Sequence, residues 1–278
     1  MLFGSFCFGS MNAIVKWTSE HADVWMIIMV RSAVIAFAVA AFAASRGISL
    51  KVNNRRIMFL RCAVGLTAMV LYFTALARIS IGQAVTLQYT APLFVALLSG
   101  KVLAEKVSAG VSLLVITAFT GIILIVSPDL GSVEPDALIA LGSGFFAALA
   151  YMYVRELRTT DSPTSVVFWF AIASVAGSIV QAAPDLLSLD TKTLAALVGI
   201  GIGAGGGQVG ITMAYQSANA AWVSAFSYFT VIVAVFYGFI IFGETLSIAD
   251  WVGGLLIVGS GVALVFTTPA EVKKTSQH

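Results

Sequence analysis

Asn12, Gln88 and Gln208 place amides, and Tyr72, Tyr89, Tyr151, Ser227 and Tyr228 place hydroxyls, inside long apolar stretches of the chain. An amide in hydrocarbon needs partners, so these side chains must face other protein or a wet cavity. A hydrogen bond between helices would satisfy any one of them, at about 0.6 kcal/mol each. Together they compose a neutral, amide- and tyrosine-lined cavity suited to a small zwitterion or aromatic metabolite. Arg31 differs in kind. It stands about seven residues into an apolar run, roughly 10 Å deep, too far for its stem to carry the charge easily to water. A guanidinium there costs about 3 kcal/mol on insertion scales. It either meets a ligand or is held by backbone carbonyls at a helix end.

Covalent and metal chemistry have little to work with. His21 and His278 lie in a connector and at the C-terminus, so no serine and histidine dyad forms within an apolar run. No cysteine or histidine spacing fits zinc. Cys7 and Cys62 sit in apolar surroundings, where a thiol behaves as a small buried hydrophobe. No cofactor is expected, and an intramembrane enzyme is disfavoured. Because no Asp or Glu falls near the middle of an apolar run, exchange of a lipophilic cation against a proton at a buried carboxylate is disfavoured too.

These side chains must be positioned by membrane helices. Hydrophobic residues make up 59% of the 278, charged residues 10%, and the mean hydropathy is +0.99. A soluble domain spends about a quarter of its residues on charge. The net charge of +2 and the scatter of Lys and Arg over short connectors argue against nucleic acid as a partner. A helix of about 20 apolar residues crosses a bilayer core about 30 Å thick. Ten such runs follow one another, at 2–17, 24–44, 57–77, 82–103, 108–127, 136–155, 164–184, 193–216, 220–243 and 247–267. Breakers such as Arg46-Gly47, Ser127-Pro128-Asp129 and Asp161-Ser162-Pro163 separate them. The remaining residues leave no room for a folded extramembrane domain. The expected partners are the bilayer and a small-molecule substrate, and a monomer is compatible with this design. The first run begins at residue 2 without the basic flank or cleavage site of a signal peptide, so a start codon slightly upstream is expected.

Orientation follows from the basic residues of alternate connectors. With the N-terminus in the cytoplasm, the inside carries Arg46, Lys51, Arg55, Arg56, Lys101, Lys106, Arg155, Arg158, Lys273 and Lys274, and the outside only Lys16, Arg78 and Lys192. A multi-pass inner-membrane protein with both termini cytoplasmic is expected. Arg61, near the cytoplasmic edge, is expected to snorkel there.

Sliding the chain by half its length sets Leu2 on Leu141, Phe6 on Phe145, Val15 on Val154 and Lys16 on Arg155. The same shift sets Ala75 on Ala214, Tyr89 on Tyr228, Glu105 on Glu244 and Ser108 on Ser247. The chain therefore divides into repeats at 1–131 and 132–278, the second including a short cytoplasmic tail. Five spans is an odd number, so the second copy enters the membrane from the opposite side. The expected fold is all-α and integral to the membrane: ten transmembrane helices in two inverted five-helix repeats, an architecture suited to alternating access.

Gly201 to Gly206 formally fit a dinucleotide fingerprint, but no strand precedes them. Gly199, Gly203 and Gly207 share one helical face, which favours close helix packing. Glu105 and Glu244 stand three residues before Ser108 and Ser247, which predicts that the serines cap the following helices and the carboxylates favour their positive ends. Gln88 and Pro92 share a face, and a proline in mid-span frees a carbonyl that needs another partner. Opened backbone beside a polar side chain is the pattern of transporter sites near the midplane, so Gln88 is expected to face Ser227, with Asn12, Tyr151 and Gln208 completing the wall.

The stretch Gly82-Gln83-Ala84-Val85-Thr86-Leu87-Gln88-Tyr89-Thr90-Ala91-Pro92-Leu93-Phe94, the connector with Glu105, and a fifth run ending in Ser127-Pro128 resemble the EamA branch of the drug/metabolite transporter superfamily. Tyr228, Phe242-Gly243-Glu244-Thr245-Leu246-Ser247 and Gly253-Gly254 are similar to the other half of that family. The resemblance covers essentially the whole chain. It implies alternating-access transport of a small metabolite through a cavity lined mainly by helices 1, 3, 4, 6, 8 and 9. Efflux of amino acids or related zwitterionic or aromatic compounds is the expected activity. The alternative it leaves open is import of a vitamin or nucleoside-type metabolite, such as a riboflavin-like or S-adenosylmethionine-like compound.

Overall fold

The computed structural model describes residues 2–91, 93–95, 98, 109–126, 134–184, 189–217 and 228–267. Among them are ten α-helices and no strand: α1 (Leu2–Thr18), α2 (Val24–Arg46), α3 (Arg55–Arg78), α4 (Ile81–Gln88), α5 (Ala109–Val126), α6 (Pro135–Leu157), α7 (Pro163–Ala182), α8 (Thr191–Ser217), α9 (Phe229–Phe242) and α10 (Ile248–Thr267). Four of them, α2, α3, α6 and α7, are long and apolar enough to cross a membrane.

Local signals set the helix ends. Asp23, Asn54, Ser80 and Ser162 each accept a hydrogen bond from a first-turn backbone N–H of α2, α3, α4 and α7. Gly47 and Gly243 follow α2 and α9 at φ near +63° and +62°, which a side chain would resist. Apolar side chains lie both inside the bundle and on its outer surface. Bulky Phe37, Phe59, Val180, Phe239 and Leu255 point outward, where lipid would surround them, while Ala36, Ala75, Ala140, Ala148 and Ala204 are buried. Small residues let backbones approach, which is how helices associate when the solvent is itself apolar.

The main packed pairs are α1 with α8, α3 with α6, α2 with α7, and α5 with α10. Exchanging every helix for the one five places along maps this set onto itself, and likewise turns the α1 and α9 pair into the α6 and α4 pair. The bundle thus has the pairing of two five-helix halves related by a pseudo-twofold.

Glycine seams carry the closest approaches. The stripe expected from spacing lies on α1: a Cβ at Gly203 would stand 3.3 Å from Met11 Cβ, at Gly207 2.7 Å from the Phe8 ring, and at Gly210 2.7 Å from Gly4 Cα. Between α5 and α10, a Cβ on either Gly121 or Gly253 would fall 2.6 Å from the other's carbonyl oxygen.

Three expectations need correction. The fourth span is not continuous: α4 ends at Gln88, Tyr89 and Thr90 form a turn, and helix resumes at Ala91. The Leu87 carbonyl is taken by Thr90 N–H at 3.2 Å and the Thr90 hydroxyl at 2.6 Å, while Pro92 has no N–H to offer Gln88. Ser247 does cap α10, in a reciprocal box with Asp250 (Asp250 N to Ser247 Oγ 3.1 Å, Ser247 N to Asp250 Oδ2 2.9 Å). Glu244, however, serves another helix: its Oε2 accepts from Ile81 N at 2.9 Å, at the start of α4, and its Oε1 pairs with Lys16 Nζ at 2.5 Å. Glu105 and Ser108 lie outside the described residues. Lastly, Arg61 does not reach the edge. Its guanidinium stacks 3.9 Å from the Phe170 ring centroid over Gly65, with Nε and Nη1 unpartnered.

The connectors at the two ends are tied differently. At one end Lys16 Nζ also donates to Ile79 O at 2.6 Å, and Gln83 Nε2 donates to Asp250 Oδ1 at 2.7 Å. At the other, Asn53 N and Asn54 N donate to Asp161 at 2.7 and 3.3 Å, and Trp169 Nε1 to Leu50 O at 2.8 Å. Burial pushes the Asp161 carboxyl up, but hydrogen bonds from Thr160, Asn53 and Asn54 outweigh it and hold the group below the ordinary carboxylate value.

Candidate substrate site

The interrupted α4 is where backbone and side-chain polarity meet in the middle of the bundle. α6 comes close enough to cover the break only because residue 144 is glycine. A Cβ there would stand 2.8 Å from Thr90 Oγ1 and 2.9 Å from Leu87 O. The neighbouring Ser143 bonds the Gln88 side chain, and its hydroxyl also lies 2.5 Å from Ala140 O. One hydroxyl has one proton. Turning the Gln88 amide so that Nε2 donates to Ser143 Oγ, which then donates to Ala140 O, gives each hydrogen a place. Gln88 is thus engaged with α6, and Ser227, expected opposite it, lies outside the described residues.

Just beyond, the tyrosines of the two halves meet. Tyr89, at the end of α4, and Tyr228, preceding α9, occupy equivalent positions and hold their ring centroids 5.8 Å apart at 52°. The Tyr228 hydroxyl lies against the backbone of Gly261 on α10, where a Cβ would leave no room, and it has no hydrogen-bond partner. Tyr72 on α3 is buried, with Asn12, Tyr89 and Tyr151 in its surroundings. Asn12 is 2% exposed, yet its Oδ1 accepts nothing.

Arg31 comes from α2 to the same stripe of α3. Met69, Tyr72 and Phe73 share a helical face. Arg31 Nη1 donates to Met69 Sδ at 3.2 Å, and the guanidinium lies 6.0 Å from the Phe73 ring centroid. Arg31 Nε and the adjoining Ser32 Oγ have no partner. Two expected wall residues are less enclosed: Tyr151 on α6 is 56% exposed and Gln208 on α8 is exposed as well, each with interactions of its own.

Four contributors were not foreseen. Ser143 and Gly144 were marked only by a Gly142-Ser143-Gly144 tripeptide inside an apolar run. Met69 carried no signal as a neutral hydrophobe. Thr230, whose buried hydroxyl is unpartnered near Tyr228 in sequence, resembled any β-branched helix residue. No group of three or more metal-ligating side chains occurs among the described residues.

A polar cluster with unfilled hydrogen-bonding capacity, set beside a helix break at the junction of two halves, can bind a small polar solute between them. Comparison with known proteins identifies the family. The model of the EamA-like transporter family matches residues 1–127 and again 136–267. The chain belongs to this family. It is 28% identical over 265 residues, 95% of this chain and 93% of the other, to the pseudopaline exporter CntI of Pseudomonas aeruginosa. It is 26% identical over 284 residues, 100% of this chain and 94% of the other, to a riboflavin transporter of Vibrio cholerae. A crystal structure with 18% identity superposes at a TM-score of 0.63, covering 96% of this chain and 94% of that one, a likeness of fold alone. The protein is a multi-pass, all-helical membrane transporter of a small molecule, and the relatives matched over nearly its whole length are named transporters.

Proposed function

We propose that this EamA-like protein exports amino acids or related zwitterionic or aromatic compounds from the cytoplasm by alternating access. It sits in the inner membrane with both termini inside, and residues 1–131 and 132–278 rock as its two repeats around the site at Asn12, Tyr72, Tyr89 and Tyr228. The observation that carries this is the set of buried polar atoms with no partner, Asn12 Oδ1 and Tyr228 Oη above all. A buried polar atom left unmade costs about 1–3 kcal/mol, so a fold keeps several in one place when something else satisfies them.

Tyr228→Phe tests this directly. Deleting an unpartnered buried hydroxyl should leave membrane abundance and thermal stability unchanged or slightly raised, while efflux of the responsive solute falls about tenfold, the equivalent of about 1.4 kcal/mol. Wild-type flux in a stable Tyr228→Phe protein, or a matched fall of flux and stability, would remove the hydroxyl from the site. A second reading, import of an aromatic vitamin, is favoured by the tyrosine pair, two ring faces tilted at 52° with centroids 5.8 Å apart, against which an aromatic ring can pack. Paired efflux and uptake assays in overproducing cells separate the two.

Orientation is checked independently. Reporter fusions at residue 50 and after residue 270 should report cytoplasm, and one near residue 132 the exterior. An exterior signal at residue 50 would reverse the topology and with it the assigned direction.

A further inference from the structure

We propose that Arg31 is the anchor for a carboxylate on the transported solute, so that every substrate of this protein carries one. The inference rests on the transport reading above and narrows it to a substrate class. Arg31 is 9% exposed and sits in the interior of α2. A guanidinium presents five donors in a planar fork and keeps its proton in proteins. Here one nitrogen reaches only a thioether, a weak acceptor, and Nε reaches nothing. The Phe73 ring, at 6.0 Å from the guanidinium carbon to its centroid, lies at the limit of useful cation and ring attraction.

Among the described residues nothing pairs with it as a counter-ion. The acids of the ten helices are Asp136, Glu156 and Asp250, each within a terminal turn, and among the described residues neither salt bridge involves Arg31. Arg61, away from the terminal turns of α3, leaves two nitrogens unpartnered and supplies no negative charge. A buried single positive charge with an unfilled planar fork is complementary to a single planar negative charge, and the carboxylate is the group that fits it bidentately. A phosphate dianion would leave an unbalanced negative charge beside Arg31. The neighbouring groups suit the rest of such a solute: Asn12, in the surroundings of Tyr72 on the same helix face as Met69, keeps Oδ1 as an unpartnered acceptor for an ammonium or hydroxyl, and the tyrosine pair offers ring faces.

The test compares cells carrying vector, wild-type protein, Arg31→Met, Arg31→Lys and Met69→Glu, with medium and cytosol surveyed by untargeted mass spectrometry and membrane abundance measured for each. Solutes whose distribution changes with wild type should be carboxylates at pH 7. Their transport should fall about ten- to hundredfold in Arg31→Met and recover in part in Arg31→Lys, since one charge-assisted contact is lost and a point charge replaces the fork. Met69→Glu supplies a carboxylate from the protein itself, directly beside Arg31. It should raise thermal stability and yet abolish transport by occupying the fork. A purely structural Arg31 would instead tolerate Met69→Glu with transport intact. Responsive solutes that are cationic, uncharged or phosphorylated without a carboxylate would overturn the anchor, as would wild-type transport in Arg31→Met. The identity of the responsive solutes decides even where Arg31→Met fails to reach the membrane. No responsive solute in either compartment would overturn the transport reading itself.

Discussion

Gly210→Leu should leave little folded protein in the membrane. At residue 210 a first side-chain carbon would lie 2.7 Å from Gly4 Cα and 2.8 Å from Gly4 N, against backbone rather than the free end of a side chain. Neither atom can yield unless α1 moves as a whole, and α1 is also seated on Gly203 and Gly207. Overpacking a core costs about 1–3 kcal/mol where side chains can rearrange, and more where they cannot. Against a typical stability of about 5–15 kcal/mol, the loss at this seam is a large share of the total. Gly205→Ala is the matched control. No atom lies within 4 Å of its Cβ position, so it should gain up to about 1 kcal/mol from helix propensity. Membrane yield and thermal unfolding of the two variants, purified side by side, measure the contrast. Equal yields would mean that α1 and α8 are not in backbone contact at Gly210.

The same seam shows what one sequence carries and what it withholds. Spacing alone placed Gly199, Gly203 and Gly207 on one face, because helical periodicity is local, but it could not say that the face meets α1. Most span limits and the Ser247 cap were legible for the same reason, each being fixed within one or two turns, whereas positions 103 and 220, the expected end of the fourth span and start of the ninth, lie outside the described residues. Pro92 foretold opened backbone, although the break comes earlier, at Tyr89 and Thr90. The half-length shift identified equivalent positions, which is different from identifying contacts. Equivalent residues touch only near the pseudo-axis, as Tyr89 and Tyr228 do. Several side-chain partners come instead from elements that are not equivalent. Gln88 finds Ser143, Arg61 finds Phe170, and Glu244, in the connector before α10, serves α4. Such pairings depend on which helices are neighbours, and no local pattern encodes that.

Glu244 therefore carries the second large effect. Its carboxylate and Lys16 Nζ are 2.5 Å apart with side chains 15% and 16% exposed, and they tie the end of α1 to the connector before α10 and the start of α4. Lys16→Met should be the most damaging single change there, because it leaves a buried carboxylate without its cation and Ile79 O without its donor. Removing one partner of a fully buried pair costs about 3–5 kcal/mol, which is the upper bound for this partly buried one. Glu244→Gln should cost less: the amide oxygen still accepts from Ile81 N, although its NH2 group now faces an ammonium. The double variant should recover a substantial part of the Lys16→Met loss, since no charge is then left unpaired. Thermal unfolding of all four proteins in nanodiscs gives the coupling, which should be about 2 kcal/mol or more and change little between low and high salt, because the pair is largely shielded from solvent. Additive losses, or a coupling that vanishes in salt, would reduce this contact to an exposed ion pair and detach Glu244 from the order of α4, the helix that leads directly into the break beside Tyr89.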